Sequence, residues 1–358
     1  MAAHLFIDIS SHGFGHLAQV APIVGALIRQ RPDLRLTLRT GLPIDKLRAR
    51  IPVPFEHLAG RSDFGFVMVD AVHIDLPATG EAYRAAHAGW NERVVAEATF
   101  LSNLAPDLVL TDVAYLPLAG AAEAGIPALS MCSLNWADLF AHFFGHEAWA
   151  GPIHAQILAA YLSAKRFIRL TPAMPMTSFD NTCAVAPVAA LGRDRRSDLL
   201  ERVGAQGDER IVLIAFGGFD KDLHAADWPV TPGVHWLVPQ AWGIDRPDMT
   251  ALESLRFNFS DLLRNVDAVL TKPGYGTFAE SACNGTPVLY IRRDDWPEQD
   301  CLIDWLEQNA CCREVSVAAL LRGELSDDLA HLWRQPKSPP PIPTGAEEAA
   351  RLIAAYLP

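Results

Sequence analysis

The sequence predicts an α/β protein in which helices cover parallel sheets. Three observations carry this. Short apolar runs alternate with stretches of helical period along the chain. Two of those runs end in glycine-rich turns that open helices. The length, 358 residues, suits two domains of ordinary size. Half the residues are apolar and 20% are charged, which excludes intrinsic disorder.

The elements follow in order. Residues 4–10 form an apolar run fit for a buried parallel strand, 11–16 a polar, glycine-rich turn, and 17–29 a helix. A second strand is expected at 35–39, a long helix at 80–104 and a strand at 107–112 (DLVLTD). A short helix at 116–124 ends at Gly125 and leads to a strand at 126–131. Helical pattern returns at 136–146 and 154–163, with an edge strand at 166–170. Prolines and small residues over 171–190 read as a linker. A second series then begins, with strands at 210–215, 234–238, 268–271 and 288–292. The KSPPPIPT stretch at 337–344 excludes helix and inner strand, and an amphipathic helix closes the chain at 345–356. The expected domains are 1–180 and 190–340, with 341–358 returning to the first.

Thirty Lys and Arg against 42 Asp and Glu leave a formal charge of −12. Such a chain has no general attraction for nucleic acid, and any anion it binds must be held by local geometry. The six cysteines lack paired CxxC spacing and read as reduced thiols of a cytoplasmic chain. The first residues lack the pattern of a signal peptide. No apolar run reaches membrane-spanning length, and peripheral membrane contact stays open.

Two turns carry chemistry. In the first, Ser10-Ser11-His12-Gly13-Phe14-Gly15-His16, the glycines permit close approach of a ligand to the backbone, and the following helix offers free N–H groups. The absence of a third glycine disfavours dinucleotide binding. Two imidazoles suggest acid–base chemistry; a tight turn with solvated histidines is the plainer alternative. In the second, Thr271-Lys272-Pro273-Gly274-Tyr275-Gly276-Thr277, backbone donors converge, Thr277 is placed to cap the helix, and Lys272 adds positive charge. That suits a phosphate or diphosphate, without the order of an ATP-binding P-loop. Glu280, one turn on, is placed for a ribose diol or simply for the helix dipole.

The stretch 271–299, TKPGYGTFAESACNGTPVLYIRRDDWPEQ, resembles the nucleotide-sugar signature of GT-B glycosyltransferases, most of all the plant-type UDP-sugar transferases and the lipid-II-forming GlcNAc transferase. The HGFGH run resembles the glycine–histidine turn of that family's N-terminal domain. Both runs also resemble the glycosyltransferase-like region joined to some sugar kinases, and no kinase segment is expected within these 358 residues.

The resemblance implies two facing Rossmann-like domains with a cleft between them and a UDP-binding, metal-independent transferase. The nucleotide-diphosphate sugar would be a substrate, with no cofactor. His16 falls at the position of the base that deprotonates the acceptor hydroxyl, and Asp112 at that of its supporting carboxylate, or else serves as a helix cap. The resemblance assigns donor binding to Gly15, Gly217, Gly218, Lys272, Gly274, Gly276, Thr277, Glu280, Glu298 and Gln299. Departures are Lys272 in place of a phosphate-contacting histidine, the Arg292-Arg293 loop, and Glu298 in place of aspartate. The acceptor is a small molecule or lipid-linked, and the oligomeric state is open. A nucleotide-sugar epimerase or hydrolase of the same fold and a non-catalytic binding module are the alternatives. His142 and His146 have metal-pair spacing without a third ligand, so no metal is expected. Trp136, Phe140, Phe143, Phe144 and Trp149 read as core or as the lining of an apolar acceptor site, and residues 257–263 as a segment contacting the base.

Overall fold

The structure is a computed structural model that describes residues 2–69, 73–205, 208–216, 223–293 and 295–358. The chain divides into two compact units. Met1–Val69, Ile74–Val188 and Pro343–Pro358 make the first, and Ala189–Ile342 makes the body of the second.

The first unit holds seven strands: β1 (His4–Ile9), β2 (Arg35–Thr40), β3 (Glu56–Ala59), β4 (Leu108–Asp112), β5 (Ala128–Cys132), β6 (Arg166–Leu170) and β7 (Thr182–Val185). They form one parallel sheet in the order β3-β2-β1-β4-β5-β6-β7. Every residue of β1, β4 and β5 is buried, because helices cover both faces of the sheet. Those helices are α1 (Phe14–Gln30), α2 (Ile44–Arg50), α3 (Leu76–Ala88), α4 (Trp90–Leu104), α5 (Leu116–Glu123), α6 (Trp136–Phe144) and α7 (Ala150–Ser163).

The second unit repeats the plan with β8 (Arg210–Ala215), β9 (Val234–Val238), β10 (Met249–Ala251), β11 (Ala268–Thr271), β12 (Val288–Tyr290) and β13 (Cys312–Glu314), parallel in the order β10-β9-β8-β11-β12-β13. Its helices are α8 (Arg196–Val203), α9 (Phe259–Asn265), α10 (Tyr275–Asn284), α11 (Glu298–Asn309), α12 (Val317–Arg322) and α13 (Ser326–Arg334). Trp228 and Trp236 meet edge to face at 5.4 Å in its core.

After the proline-rich stretch, α14 (Gly345–Ala354) packs on α1. Arg29 reaches Glu347 at 2.9 Å, and Glu348 accepts a hydrogen bond from the Ala186 N–H at 2.9 Å. Gly345 lies so close to the Ala186 carbonyl that no side chain fits there. The chain therefore ends in the unit where it began.

In both sheets the strand order reverses beside the first strand of the unit, between β1 and β4 and between β8 and β11. In open α/β sheets ligands bind beyond the carboxyl ends of strands at such a reversal. Both glycine turns lie there, after β1 and after β11.

Four strands depart from the sequence expectation. β3, β7, β10 and β13 are short, only partly buried and at or next to sheet edges, so they carry little apolar pattern. β7 lies inside the expected linker and takes the sheet edge that the sequence assigned to β6. The expected helix at 80–104 is two helices broken at Gly89.

Candidate functional site

β1 and β4 pair in parallel with Ile9 opposite Asp112, so both strands end level. α1 starts from Gly13, without a side-chain cap or an acidic residue in its first turn. His16, in that turn, points back toward the strand ends, as side chains near a helix start do. Its Nδ1 lies 3.0 Å from Asp112 Oδ2 and 3.3 Å from Oδ1. The Cys132 thiol, at the end of β5, is 3.9 Å from the same nitrogen. All three residues are buried.

This contact decides the proton chemistry of the imidazole. Burial alone lowers the pKa of His16. The charge and hydrogen bond of the Asp112 carboxylate, with a smaller contribution from Cys132, together outweigh burial and hold the imidazole well above its ordinary value. Asp112 on Nδ1 also selects the tautomer with Nδ1–H and leaves the lone pair on Nε2. Burial and the Asp112 charge push the Cys132 thiol up to about 11.

Strained backbone supports the carboxylate. Val113, next to Asp112, has φ 67°, a left-handed conformation costly for a β-branched residue. Its carbonyl accepts a 2.6 Å hydrogen bond from the Tyr161 hydroxyl, which in turn accepts the Trp136 N–H at 3.2 Å.

Trp136 and His12 border the dyad. The Trp136 ring lies 6.2 Å from His16 and 5.4 Å from His12. Trp136 Nε1 donates to Asp63 Oδ2 at 2.8 Å, and the Ser10 hydroxyl donates to Oδ1 at 3.1 Å. Burial and the nearby Asp8 charge push the Asp63 carboxyl up to about 6, against those hydrogen bonds. Asp8 is itself tied to Arg39, which also grips Glu97.

In the second unit, α10 starts from Gly274, which is extended and makes no side-chain cap. Thr277 therefore sits inside the first turn of α10 rather than capping it, because the glycine already opens the helix. That turn holds no acidic residue, and Lys272 lies just before it. The result is a positive helix end with a cation beside it. Glu280, further along α10, is 1% exposed.

Glu298 and Gln299 open α11. Gln299 accepts the Arg293 N–H at 3.0 Å and donates to the Arg293 carbonyl at 3.1 Å. Glu298 accepts a hydrogen bond from Trp296 Nε1 at 3.1 Å. Both side chains thus brace the loop after β12.

The structure brings His16 and Asp112 together. It gathers Lys272, Gly274, Gly276, Thr277 and Glu280 on one turn and the helix it opens. Gly15 lies in the first turn of α1, and Gly217 and Gly218 lie outside the described residues. His142 lies in the last turn of α6 and His146 just beyond it, both exposed. Trp136, Phe140, Phe143 and Phe144 are buried, and of these Trp136 borders the dyad. Phe257 lies under the guanidinium groups of Arg195 and Arg202.

Sequence reasoning missed Cys132 and Asp63. Cys132 was readable only as the end of the strand beside β4, and Asp63 carries no local signal. Among the described residues, His16, Asp112 and Cys132 bring three candidate donor atoms within 4.8 Å of one another, close enough together to hold a metal ion.

No protein-family model matches the chain. L-arabinokinase of Arabidopsis thaliana is 27% identical over 88% of this chain, which spans 31% of that protein's length. Among solved structures, the calicheamicin glycosyltransferase CalG4 superposes with a TM-score of 0.63 at 17% identity, covering 99% of this chain and 95% of that one. This is the GT-B glycosyltransferase fold. A UDP-glucosyltransferase from Polygonum tinctorium capable of glucosylating indoxyl shares it at TM-score 0.59 and 14% identity, over 99% of this chain and 98% of that one. A UDP-N-acetylglucosamine 2-epimerase shares it at TM-score 0.56 and 14% identity, over 99% and 95%. On the GT-B frame, the His16–Asp112 dyad belongs to the N-terminal unit and the Lys272 turn to the C-terminal one. No helix among the described residues is long and apolar enough to cross a membrane.

Proposed function

We propose that the chain is a glycosyltransferase that moves a sugar from a nucleotide-diphosphate donor to an acceptor hydroxyl, with inversion and without a metal. The observation that carries this reading is the buried His16–Asp112 dyad at the strand reversal of the first sheet. His16 Nε2 removes the proton of the acceptor hydroxyl as that oxygen attacks the anomeric carbon, and Asp112 stabilises the imidazolium that forms. The nucleoside diphosphate leaves from the opposite face of the sugar, which inverts the centre.

In this reading the diphosphate rests on the α10 N-terminus, with the N–H groups of Gly276 and Thr277 and the Lys272 ammonium as partners. Glu280 holds the ribose and Glu298 with Gln299 lies toward the donor sugar, with Gly15, Gly217 and Gly218 completing the donor contacts. These placements follow the motif resemblance. The likeness to UDP-sugar enzymes favours a UDP donor. We read the His16–Asp112–Cys132 trio as handling protons, because Asp112 on Nδ1 leaves the Nε2 lone pair of His16 to take the acceptor proton. Six unpaired thiols suit a reducing compartment, and we place the protein in the cytoplasm.

The experiment is His16→Ala with UDP-sugar donors and a panel of hydroxyl acceptors. Turnover is expected to fall by about 10²–10⁴-fold with donor affinity retained; unchanged turnover refutes the base. The 2-epimerase neighbour makes epimerisation the second reading. It is distinguished by a donor sugar that changes configuration without any acceptor. Tight nucleotide-sugar binding with neither reaction identifies a binding module.

A further inference from the structure

Arg293 lies in the loop between β12 and α11. β12 is the neighbour of β11, so this loop and the Lys272 turn leave the same edge of the second sheet. The Arg293 side chain is buried, with 7% of the residue exposed. Its guanidinium stacks on Trp296 at 4.0 Å, and Gln299 clamps its backbone on both sides. The group is thus held in one place.

No ion pair among the described residues neutralises it. Arg293 Nε is buried without a hydrogen-bond partner, and among the described residues no carboxylate forms an ion pair with the side chain. The nearby Glu298 is bonded to Trp296 instead. The adjacent Arg292 shows the contrast: it is half exposed and paired with Asp300 at 2.7 Å and Glu314 at 2.9 Å. Burial lowers the Arg293 guanidinium to about 10, with the Glu298 charge opposing only in part. A buried cation with no carboxylate in direct contact is unfavourable, and a planar fork of N–H donors matches an oxyanion.

We propose that Arg293 is the seat of an oxyanion of the bound donor, either its diphosphate or a carboxylate on its sugar. The proposal rests on the donor-site reading above and extends it to a residue that fixes which donor is taken.

The test uses the full chain, Arg293→Met and Arg293→Lys, titrated with UDP, UDP-glucose and UDP-glucuronate in a calorimeter. Without nucleotide, Arg293→Met is expected to unfold at a higher temperature than the parent, since an unpaired buried charge is removed and methionine packs on Trp296. With nucleotide it is expected to bind about tenfold more weakly or worse, and Arg293→Lys to fall between the two. A loss for all three ligands assigns the diphosphate; a loss confined to UDP-glucuronate assigns the sugar carboxylate. If the parent binds these nucleotides and Arg293→Met binds them equally well, the proposal is overturned and Arg293 is structural. If the parent binds none of them, the donor reading fails by itself. Pyrophosphate and glucuronate alone then decide: a thermal shift in the parent that Arg293→Met loses sustains the oxyanion seat, and its absence overturns it.

Discussion

Nδ1 of His16 lies 3.0 Å from Oδ2 of Asp112, although 96 residues separate them in the chain. The pair is buried, and the carboxylate raises the affinity of the imidazole for its proton. A base must be neutral to accept a proton. The rate of the proposed reaction is therefore expected to rise with pH through a value above the ordinary 6.5 of histidine.

Asp112→Asn removes the charge and keeps the shape. Its turnover is expected to fall by about 10²–10⁴-fold. The acid limb of its pH–rate profile should move toward lower pH, because burial then acts on His16 without the opposing carboxylate. A profile with an unmoved limb would separate Asp112 from the proton chemistry.

Asp63 predicts a pH dependence of stability. Its folded carboxyl, at about 6, binds a proton more tightly than the unfolded one at about 3.9. The stability it contributes is therefore fully present below about 3.9 and lost as pH rises through about 6. Asp63→Asn lacks that loss. Relative to the parent, its unfolding temperature should increase between pH 4 and pH 7.

Tyr161→Phe tests the support of the strained turn. The variant leaves the Val113 carbonyl and the Trp136 N–H without their partner, at a cost of about 1–3 kcal/mol each in a buried site. Denaturant titration measures the loss. Turnover should fall as well, since Val113 fixes the backbone beside Asp112; full activity in a destabilised Tyr161→Phe would detach the turn from function.

Lys272→Ala removes the cation beside α10. Donor affinity is expected to fall by about 10–150-fold, in keeping with ~1.5–3 kcal/mol for a charge-assisted hydrogen bond. The difference from the parent should shrink in high salt. Calorimetry at two salt concentrations checks both, and equal affinity at low salt would remove Lys272 from the diphosphate site.

Much of the frame was legible because parallel strands buried on both faces are written as apolar runs. β1, β4, β5, β8, β9 and β11 are of that kind. The edge strands β3 and β13 were not legible, because their residues are half exposed and lack a repeating pattern. The site divides in the same way. His16 and Lys272 stand in glycine turns that declare themselves locally. Cys132 and Asp63 do not, and the orphaned Nε of Arg293 could be seen only once its loop was packed.

By itself, the amino-acid sequence determined the α/β alternation, the two glycine turns at strand ends, and an acidic chain that must hold any anion locally. The tertiary structure decided which strand ends share a row. Parallel pairing sets Ile9 opposite Asp112 and carries Cys132 to the same edge. Register between strands about a hundred residues apart depends on how whole layers pack, and no local run of residues encodes it.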